Sequence, residues 1–115
     1  MIPKTIKEHH ANVRGLVCVI TGNPVVTLHH CHGGSMEEAG WTAGTSKRGC
    51  SEALVLPLKA DFHVGAEGID FGIGVLTWEG WYGTQMDYLK EVGEKLGYDL
   101  FTLAKDWAEK APARG

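Results

Sequence analysis

The first third of the chain divides into short blocks of polar and apolar residues. A polar segment, Lys4 to Val13, predicts a helix that ends at Arg14-Gly15. An apolar, β-rich run follows at Leu16 to Ile20, and then come the turn residues Thr21 to Pro24. The β-branched segment Val25 to His30 predicts a strand, so the pattern indicates a hairpin or knuckle after the first helix.

The central part predicts a long loop, a second strand and a short helix. Gly, Ser, Thr and charged residues dominate the segment Gly33 to Ser51, and loops of this length are usually functional or mobile. The apolar run Ala53 to Leu58 predicts a strand that ends at Pro57. Lys59 to Ala66 then has room for about two helical turns before Gly68 stops the helix.

The last third is predicted to be mostly helical. Recurrent glycines predict a turn-rich connection over Ile69 to Thr77. From Trp78 to Leu96 apolar residues recur at helical spacing, with Gly97 in the C-cap position, and a last helix runs from Leu100 to about Lys110, before a frayed tail at 111–115. The aromatic residues of the penultimate helix are interpreted as core, with a base-stacking stripe as the alternative.

Length and composition predict one α+β domain over residues 1–115. No apolar run approaches the roughly 20 residues of a membrane span, and no signal-type stretch follows Met1, so we expect a cytoplasmic protein without a membrane partner. Three cysteines without a CxxC pair fit a reducing compartment. The formal net charge of -3 gives no general attraction to nucleic acid, so contacts with DNA are expected to be local, through Lys47 and Arg48 of the long loop.

Four imidazoles carry the candidate chemistry. His29, His30 and His32 lie at the end of the first strand, and His63 falls in the short helix. Neighbouring side chains on a strand point to opposite faces, so His29 and His30 cannot do the same work. If the strands and the helix fold back on each other, His29 and His63 can share a divalent metal ion with Asp70, the nearest carboxylate. Such a set leaves positions for water and a phosphate oxygen, while His30 can take a proton from the attacking water.

These residues resemble the HNH or ββα-metal endonucleases. The resemblance is carried by the His29-His30 pair, the long loop, Leu54 to Leu58 with its Pro-Leu end, and His63 followed by Gly65, Gly68 and Ile69. Within that group the chain is most similar to the RecA-dependent Ref family of phage and prophage recombination nucleases, from about His9 to Gln85. The resemblance implies hydrolysis of a DNA phosphodiester in the cytoplasm of a bacterial host, with a recombinase filament as a candidate partner.

The resemblance also implies a role for each matched residue. His29 and His63 are metal ligands, His30 is the general base, and Asp70 stands where relatives often have a third histidine. Because a carboxylate is a harder ligand than an imidazole, Asp70 favours Mg²⁺ or Mn²⁺ over Zn²⁺. The small core is then of ββα-metal type, with one helix before it and two helices after it.

Many of these relatives also bind a structural zinc ion through two CxxC pairs. The matching positions of this chain are Cys18 with Thr21 and Lys59 with Phe62, where one cysteine remains. We therefore expect no structural zinc, and we expect Phe62 and Leu58 to fill that volume by packing.

The middle Asn that gives HNH its name has no evident counterpart, and Glu52 and Ser51 are the nearby polar candidates. Because of this departure, one alternative is a protein that has the nuclease fold without catalysis and only binds nucleic acid or another protein. The paired His29 and His30 favour the enzyme, since a binding module needs no general base. A metal hydrolase that acts on a small phosphoester is a third alternative.

The other cysteines and histidines leave further alternatives open. They are Cys31, His32 and Cys50, together with His9 and His10 in the first helix. The cysteines are expected to be buried without a ligand. The alternative is a second, structural zinc site, at which Cys31 or His32 joins the other two cysteines of the chain. The two histidines of the first helix are expected at the surface.

Overall fold

The fold contains two antiparallel strands, and helices precede, separate and follow them along the sequence. The computed structural model describes residues 2–41, 52–110 and 115. In these ranges it has six helices and two strands, which confirms the α+β class. The elements are α1 (Ile6–Arg14), β1 (Thr27–His30), α2 (Gly34–Glu38), β2 (Val55–Leu58), α3 (Ala60–His63), α4 (Val75–Tyr82), α5 (Gln85–Leu96) and α6 (Leu100–Glu109). No helix in these ranges is both long and apolar enough to cross a membrane.

The first helix, α1, begins at a capping residue and packs through one face. The Thr5 hydroxyl accepts a hydrogen bond of 3.1 Å from the Glu8 N–H and so caps the helix. Ile6, His9 and Val13 recur at helical spacing and form the buried face. The predicted first helix is thereby confirmed, with a slightly later start.

His9 is buried, so the expectation that it lies at the surface is wrong. Its Nε2 donates to the Ala53 carbonyl at 2.9 Å, and its Nδ1 accepts from the Tyr98 hydroxyl at 2.7 Å. Because a carbonyl only accepts, the ring is the neutral tautomer with its proton on Nε2. Burial lowers the pKa of His9 to about 4. The ring therefore joins α1 to the segment before β2 and to the corner between α5 and α6.

Replacing His9 by Gln is expected to reduce the pH dependence of stability. The pKa of His9 is lower in the folded protein than the usual histidine value of 6.5, so the unfolded chain takes up this proton first as the pH falls. The stability contributed by the neutral ring is complete above pH 6.5 and is lost as the pH falls towards 4. Urea denaturation should show that His9→Gln loses about 1–3 kcal/mol near neutral pH and little near pH 4.

An Ala11→Gln variant provides the control, because Ala11 is exposed on the same helix. It should keep the wild-type dependence of the unfolding free energy on pH. If His9→Gln also kept that dependence, His9 would not be the buried, neutral group described above.

The segment between α1 and β1 is a loop, so a hairpin made with Leu16 to Ile20 is not formed. The backbone of this loop forms hydrogen bonds within the loop itself. The Cys18 N–H donates to the Asn23 carbonyl and the Gly22 N–H donates to the Cys18 carbonyl, both at 2.8 Å. Gly22 has a φ of 76°, in the left-handed region that favours glycine. Val19 reaches the sheet, where its N–H donates to a carbonyl of β2 at 3.2 Å. A knuckle-like turn therefore takes the place of a hairpin.

β1 pairs with β2 across the long central segment, with His29 opposite Leu56. All four residues of β2 are buried, so both faces of this strand are covered. The strand leads at once into α3, which is shorter than the helix predicted over 59–66 and ends at His63. The predicted order of strand, long connection, strand and short helix is confirmed.

The long connection contains a short helix, α2, where the sequence predicted only a loop. Met36 of α2 is fully buried, and its carbonyl accepts from the Trp41 N–H at 2.8 Å. A single buried methionine among polar residues gives no periodic signal, which is why the pattern does not indicate this helix. Residues 42–51 lie outside the described residues, and with them the predicted positions Lys47, Arg48, Cys50 and Ser51.

The single helix predicted from Trp78 to Leu96 is wrong, because this segment forms two helices. Gly83 has a φ of 115° and ends α4, and the Thr84 hydroxyl accepts from the Asp87 N–H at 3.2 Å and caps α5. α4 begins at Val75, inside the connection predicted to be irregular. Three helices therefore follow α3 instead of the predicted two, and the last of them, α6, agrees with its prediction.

The aromatic residues of α4 and α5 divide between core and surface. Trp78 is fully buried, and its indole N–H donates to the Phe62 carbonyl at 3.0 Å. Tyr82 and Tyr88 are partly buried and pack against Trp78. Trp81 is 61% exposed. The core interpretation is therefore confirmed for Trp78 and wrong for Trp81.

Candidate metal centre

Three side chains of metal-ligand type converge beside the strand pair. His29 comes from β1, His63 from the end of α3, and Asp70 from the turn that follows. Asp70 Oδ2 lies 2.9 Å from His63 Nε2 and 3.5 Å from His29 Nδ1. One ligand atom of each residue lies within 4.8 Å of the other two. The fold thus brings together the three residues predicted as metal ligands.

The turn after α3 places the carboxylate. The Asp70 N–H donates to the His63 carbonyl at 3.0 Å, and the Ile69 N–H donates to the Phe62 carbonyl at 3.1 Å. A Cβ atom at Gly68 would lie 2.6 Å from the His63 carbonyl oxygen, so a side chain there would force the backbone to move. Glycine at this position therefore lets the chain return over the end of α3 and carry Asp70 to the histidines.

The tautomer of His29 is fixed by Gln85, the first residue of α5. His29 Nε2 lies 2.9 Å from Gln85 Oε1. The same oxygen accepts from the His32 N–H at 3.1 Å, while Gln85 Nε2 donates to the His32 carbonyl at 2.8 Å, which settles the orientation of the amide. An amide oxygen only accepts, so His29 carries its proton on Nε2 and keeps a lone pair on Nδ1. Within the described residues this buried Nδ1 has no hydrogen-bond partner.

The tautomer of His63 is fixed in the same way by Thr27. The Thr27 hydroxyl donates its one proton to the Leu58 carbonyl at 2.8 Å, so it must accept from His63 Nδ1, also at 2.8 Å. Burial lowers the pKa of His63 by more than the neighbouring Asp70 raises it, which favours the neutral ring. Its Nε2 therefore presents a lone pair to Asp70.

Asp70 faces these lone pairs as an ionised carboxylate. Burial raises the pKa of Asp70, but the hydrogen bond that His32 donates lowers it, and the pKa lies well below the usual range. His32 Nε2 donates to Oδ1 at 2.7 Å and holds the group in place. Its Oδ2 thus meets two ring nitrogens without a proton between them. This arrangement is repulsive unless a cation lies among the three atoms, so the residues fit a metal ion.

Each candidate ligand is held from behind by a second hydrogen bond. The pairs are Gln85 with His29, Thr27 with His63, and His32 with Asp70. Gln85 is held in turn by Glu79, whose Oε2 accepts from the Gln85 backbone N–H at 2.7 Å and from the Ser35 hydroxyl at 2.6 Å. Metal-binding side chains in proteins usually have such outer partners, which orient the lone pairs.

Removing the hydroxyl of Thr27 is expected to weaken metal binding without removing a ligand. In Thr27→Val the His63 ring loses the acceptor that keeps its proton on Nδ1, so its Nε2 lone pair is less often available. Titration calorimetry with Mn²⁺ should show an affinity about 10- to 100-fold lower than that of the wild type.

Thr27→Ser is the matched control, since it keeps the hydroxyl and removes one methyl group. We expect its Mn²⁺ affinity to stay within about 3-fold of the wild type, because the outer hydrogen bond remains. Equal affinities in the Val and Ser variants would show that Thr27 does not orient a metal ligand.

His30 lies on the other face of β1, as the alternation of side chains along a strand predicts. Its side chain is 48% exposed, whereas that of His29 is fully buried. His30 Nε2 donates to Glu52 Oε1 at 2.6 Å, which orients the ring and leaves Nδ1 with a lone pair. Of the two candidates for the middle residue of the HNH motif, Glu52 therefore contacts His30, and Ser51 lies outside the described residues.

His10 lies beside His30, with the two rings edge to face at 5.8 Å between centroids. Its Nε2 donates to the Glu52 carbonyl at 2.8 Å. The ring is partly buried, so the expectation of a plain surface histidine is wrong for His10 as well. α1 thus places His9 in the core and His10 against the exposed side of β1.

The two cysteines within the described residues are Cys18, which is buried, and Cys31, which is partly buried. Burial raises the pKa of the Cys31 thiol well above its usual value. Burial also raises the pKa of Cys18, but hydrogen bonds from the Lys59 backbone and the Thr21 side chain lower it by more. The loop that carries Cys18 therefore contacts the backbone at Lys59, just before α3.

Three residues hold the ligands in place in roles that the sequence did not indicate. They are Thr27, His32 and Gln85, which contact their partners over 36, 38 and 56 residues of sequence. No local pattern indicates contacts over such separations. Gln85 does lie in the YGTQ stretch that is part of the resemblance, and this was the one available signal.

No protein family matches the chain, and no curated protein or solved structure is similar to it. What the protein does must therefore be inferred from its own residues.

Proposed function

We propose that the chain is a metal-dependent endonuclease that hydrolyses phosphodiester bonds of DNA. The observation that carries the proposal is the buried His29 Nδ1, which has no hydrogen-bond partner within the described residues and which, together with His63 Nε2, faces the Asp70 carboxylate. Two neutral imidazoles and one carboxylate leave coordination positions open, which suits a catalytic ion more than a structural one.

The proposal includes membership of the HNH or ββα-metal endonucleases. It is supported by the motifs named above and by the order of the elements, in which two antiparallel strands lead into a short helix that carries His63. The knuckle-like turn around Cys18 lies beside this helix, as the first cysteine pair does in relatives that bind structural zinc.

His30 is the general base in this proposal. Glu52 accepts from its Nε2, so the lone pair on Nδ1 can take a proton from the water that attacks the phosphorus. The carboxylate also stabilises the imidazolium that results from this transfer. His29 and His30 are consecutive on β1, so their Cα atoms lie about 3.8 Å apart and their side chains leave the strand on opposite faces.

His29, His63 and Asp70 are the residues that would hold the metal ion. A divalent cation bound there would stabilise the negative charge that develops on the phosphate. The carboxylate ligand favours Mg²⁺ or Mn²⁺, and the two imidazoles also allow Zn²⁺. Gln85 and Thr27 orient the two imidazole rings by hydrogen bonds to their far sides, Gln85 to His29 and Thr27 to His63.

The remaining parts of the proposal come from the resemblance alone. They are a DNA substrate, a recombinase filament as partner, an origin in a phage or prophage, and a place in the cytoplasm of a bacterial host. Lys47 and Arg48 stay the predicted contacts to DNA phosphates, and both lie outside the described residues. Since the formal net charge is -3, such contacts must be local.

Incubation of the purified protein with supercoiled plasmid and with single-stranded DNA tests the proposal. We expect cleavage with Mg²⁺ or Mn²⁺ and none with EDTA. His29→Ala, purified in the same way, should be inactive and excludes a contaminating nuclease. Because relatives act on recombinase filaments, the assay is repeated with such a filament. Metal binding at the site without cleavage in either format would reject the enzyme and favour the binding module.

A further inference from the structure

We propose that the chain has a second cation site, formed by His10, His30 and Glu52, whose occupation by Zn²⁺ inhibits the nuclease. Binding at this site is independent of the proposed function, whereas inhibition rests on it. The three residues come from α1, β1 and the segment before β2, so the site exists only when these parts are folded together.

The geometry of this second site is close to that of a metal site. One ring nitrogen of each histidine and a carboxylate oxygen of Glu52 lie within 4.8 Å of one another. Ligands of tetrahedral zinc are about 3.4 Å apart, so small side-chain movements would complete the site. The His10 ring is already turned by its hydrogen bond to the Glu52 carbonyl, and the His30 ring by the Glu52 carboxylate.

The chemistry of the second site allows zinc. Its ligand types are those of the first site, two imidazoles and one carboxylate, and such a set accepts Zn²⁺. The His30 side chain is 48% exposed and that of Glu52 is 15% exposed, so an ion can reach the site from solvent. When Zn²⁺ binds His30 Nε2, it takes the place of the proton between Nε2 and Glu52 Oε1, and that proton moves to Nδ1, so that the ligand stays a neutral imidazole.

A cation bound at this position would prevent His30 from acting as the general base. A neutral ring bound to Zn²⁺ through Nε2 carries its proton on Nδ1 and has no lone pair left to accept another, and the Glu52 carboxylate, as a ligand of the ion, can no longer stabilise an imidazolium. The chain would thus be active with one ion in the first site and inhibited when zinc also fills the second. His29 and His30, which are neighbours on β1, would each bind a different cation. The ion at His29 would support cleavage, and the ion at His30 would inhibit it.

The binding test is a count of bound Zn²⁺ per chain, measured by calorimetry and by metal analysis after dialysis. We expect two ions on the wild type, one on His10→Gln and one on His63→Ala. Glu52→Gln, which keeps the shape of the side chain, gives a second variant that should also bind one ion. One ion on the wild type, or two on both His10→Gln and Glu52→Gln, would overturn the second site.

The activity test compares cleavage with Mn²⁺ before and after Zn²⁺ is added, each protein being compared with its own activity without zinc. We expect the wild type to lose about 10-fold or more of its rate, and His10→Gln to lose less than about 2-fold. Equal zinc inhibition in the two proteins would overturn the inhibitory role. If no protein cleaved DNA, the proposed function would fail, and the zinc count would still decide whether the second site exists.

Discussion

The His30→Ala variant is expected to cleave DNA about 10²- to 10⁴-fold more slowly than the wild type. The loss is large because His30 is the side chain on the exposed face of β1 that is oriented by a carboxylate and keeps a lone pair for a proton. The measurement is the rate of plasmid nicking at saturating Mn²⁺.

Mn²⁺ affinity separates loss of the base from loss of the metal site. His30 is not among the three residues proposed to hold the ion, so His30→Ala should bind Mn²⁺ about as tightly as the wild type does. In Glu52→Gln the side-chain oxygen can still accept from His30, so we expect a smaller loss of rate. Cleavage by His30→Ala at the wild-type rate would reject His30 as the base.

The Asp70→Asn variant is expected to lose metal binding and yet to be more stable than the metal-free wild type. Without a cation, the wild-type carboxylate faces the lone pairs of His29 and His63, whereas an amide N–H₂ can donate to them. We expect a gain of about 1 kcal/mol in the unfolding free energy measured with EDTA. With Mn²⁺ at about 100 times its Kd, the wild type should gain about 2.7 kcal/mol and the variant nothing.

Asp61→Asn is the matched control, because Asp61 is an exposed carboxylate in α3 that pairs with Lys59 at 3.5 Å. It should change neither the stability in EDTA nor the gain with Mn²⁺ by more than about 0.5 kcal/mol. An Asp70→Asn protein that was destabilised in EDTA, or that still gained stability with Mn²⁺, would show that Asp70 does not face unprotonated ring nitrogens.

The parts of the fold that could be predicted are those with a local signal. The β-branched run before His29, the apolar run before Pro57 and the glycine after α3 indicate two strands and a short helix. The break between α4 and α5 also has a local signal, since Thr84 followed by Asp87 is a capping pattern, but the apolar spacing through Leu96 continues across it.

The errors arise where long-range contacts decide the outcome. The run Leu16 to Ile20 has strand composition, yet it closes into a turn because its backbone groups find partners there. His9 lies in a polar segment, and its burial depends on Tyr98, which is 89 residues away in sequence. Met36 lies on α2, which contacts α4 and α5 later in the chain.

The candidate site divides in the same way. Chemistry and spacing indicate His29, His63 and Asp70, because few residue types bind metals and the turn after α3 is short. The outer partners are common polar residues, Thr27 and Gln85, whose roles appear only when the proton of each ring is assigned from its neighbours. The sequence thus indicates which residues are the candidate ligands, and the structure adds which nitrogen of each ring carries the proton.

The most direct test is a crystal structure of the protein grown with Mn²⁺, with data collected for the anomalous signal of manganese. We predict a peak about 2.0–2.3 Å from His29 Nδ1, His63 Nε2 and Asp70 Oδ2, with Gln85 and Thr27 still bonded to the far sides of the two rings. If no peak appeared there at saturating Mn²⁺ and Asp70 were hydrogen-bonded directly to protonated nitrogens of both rings, the proposed metal site would be wrong.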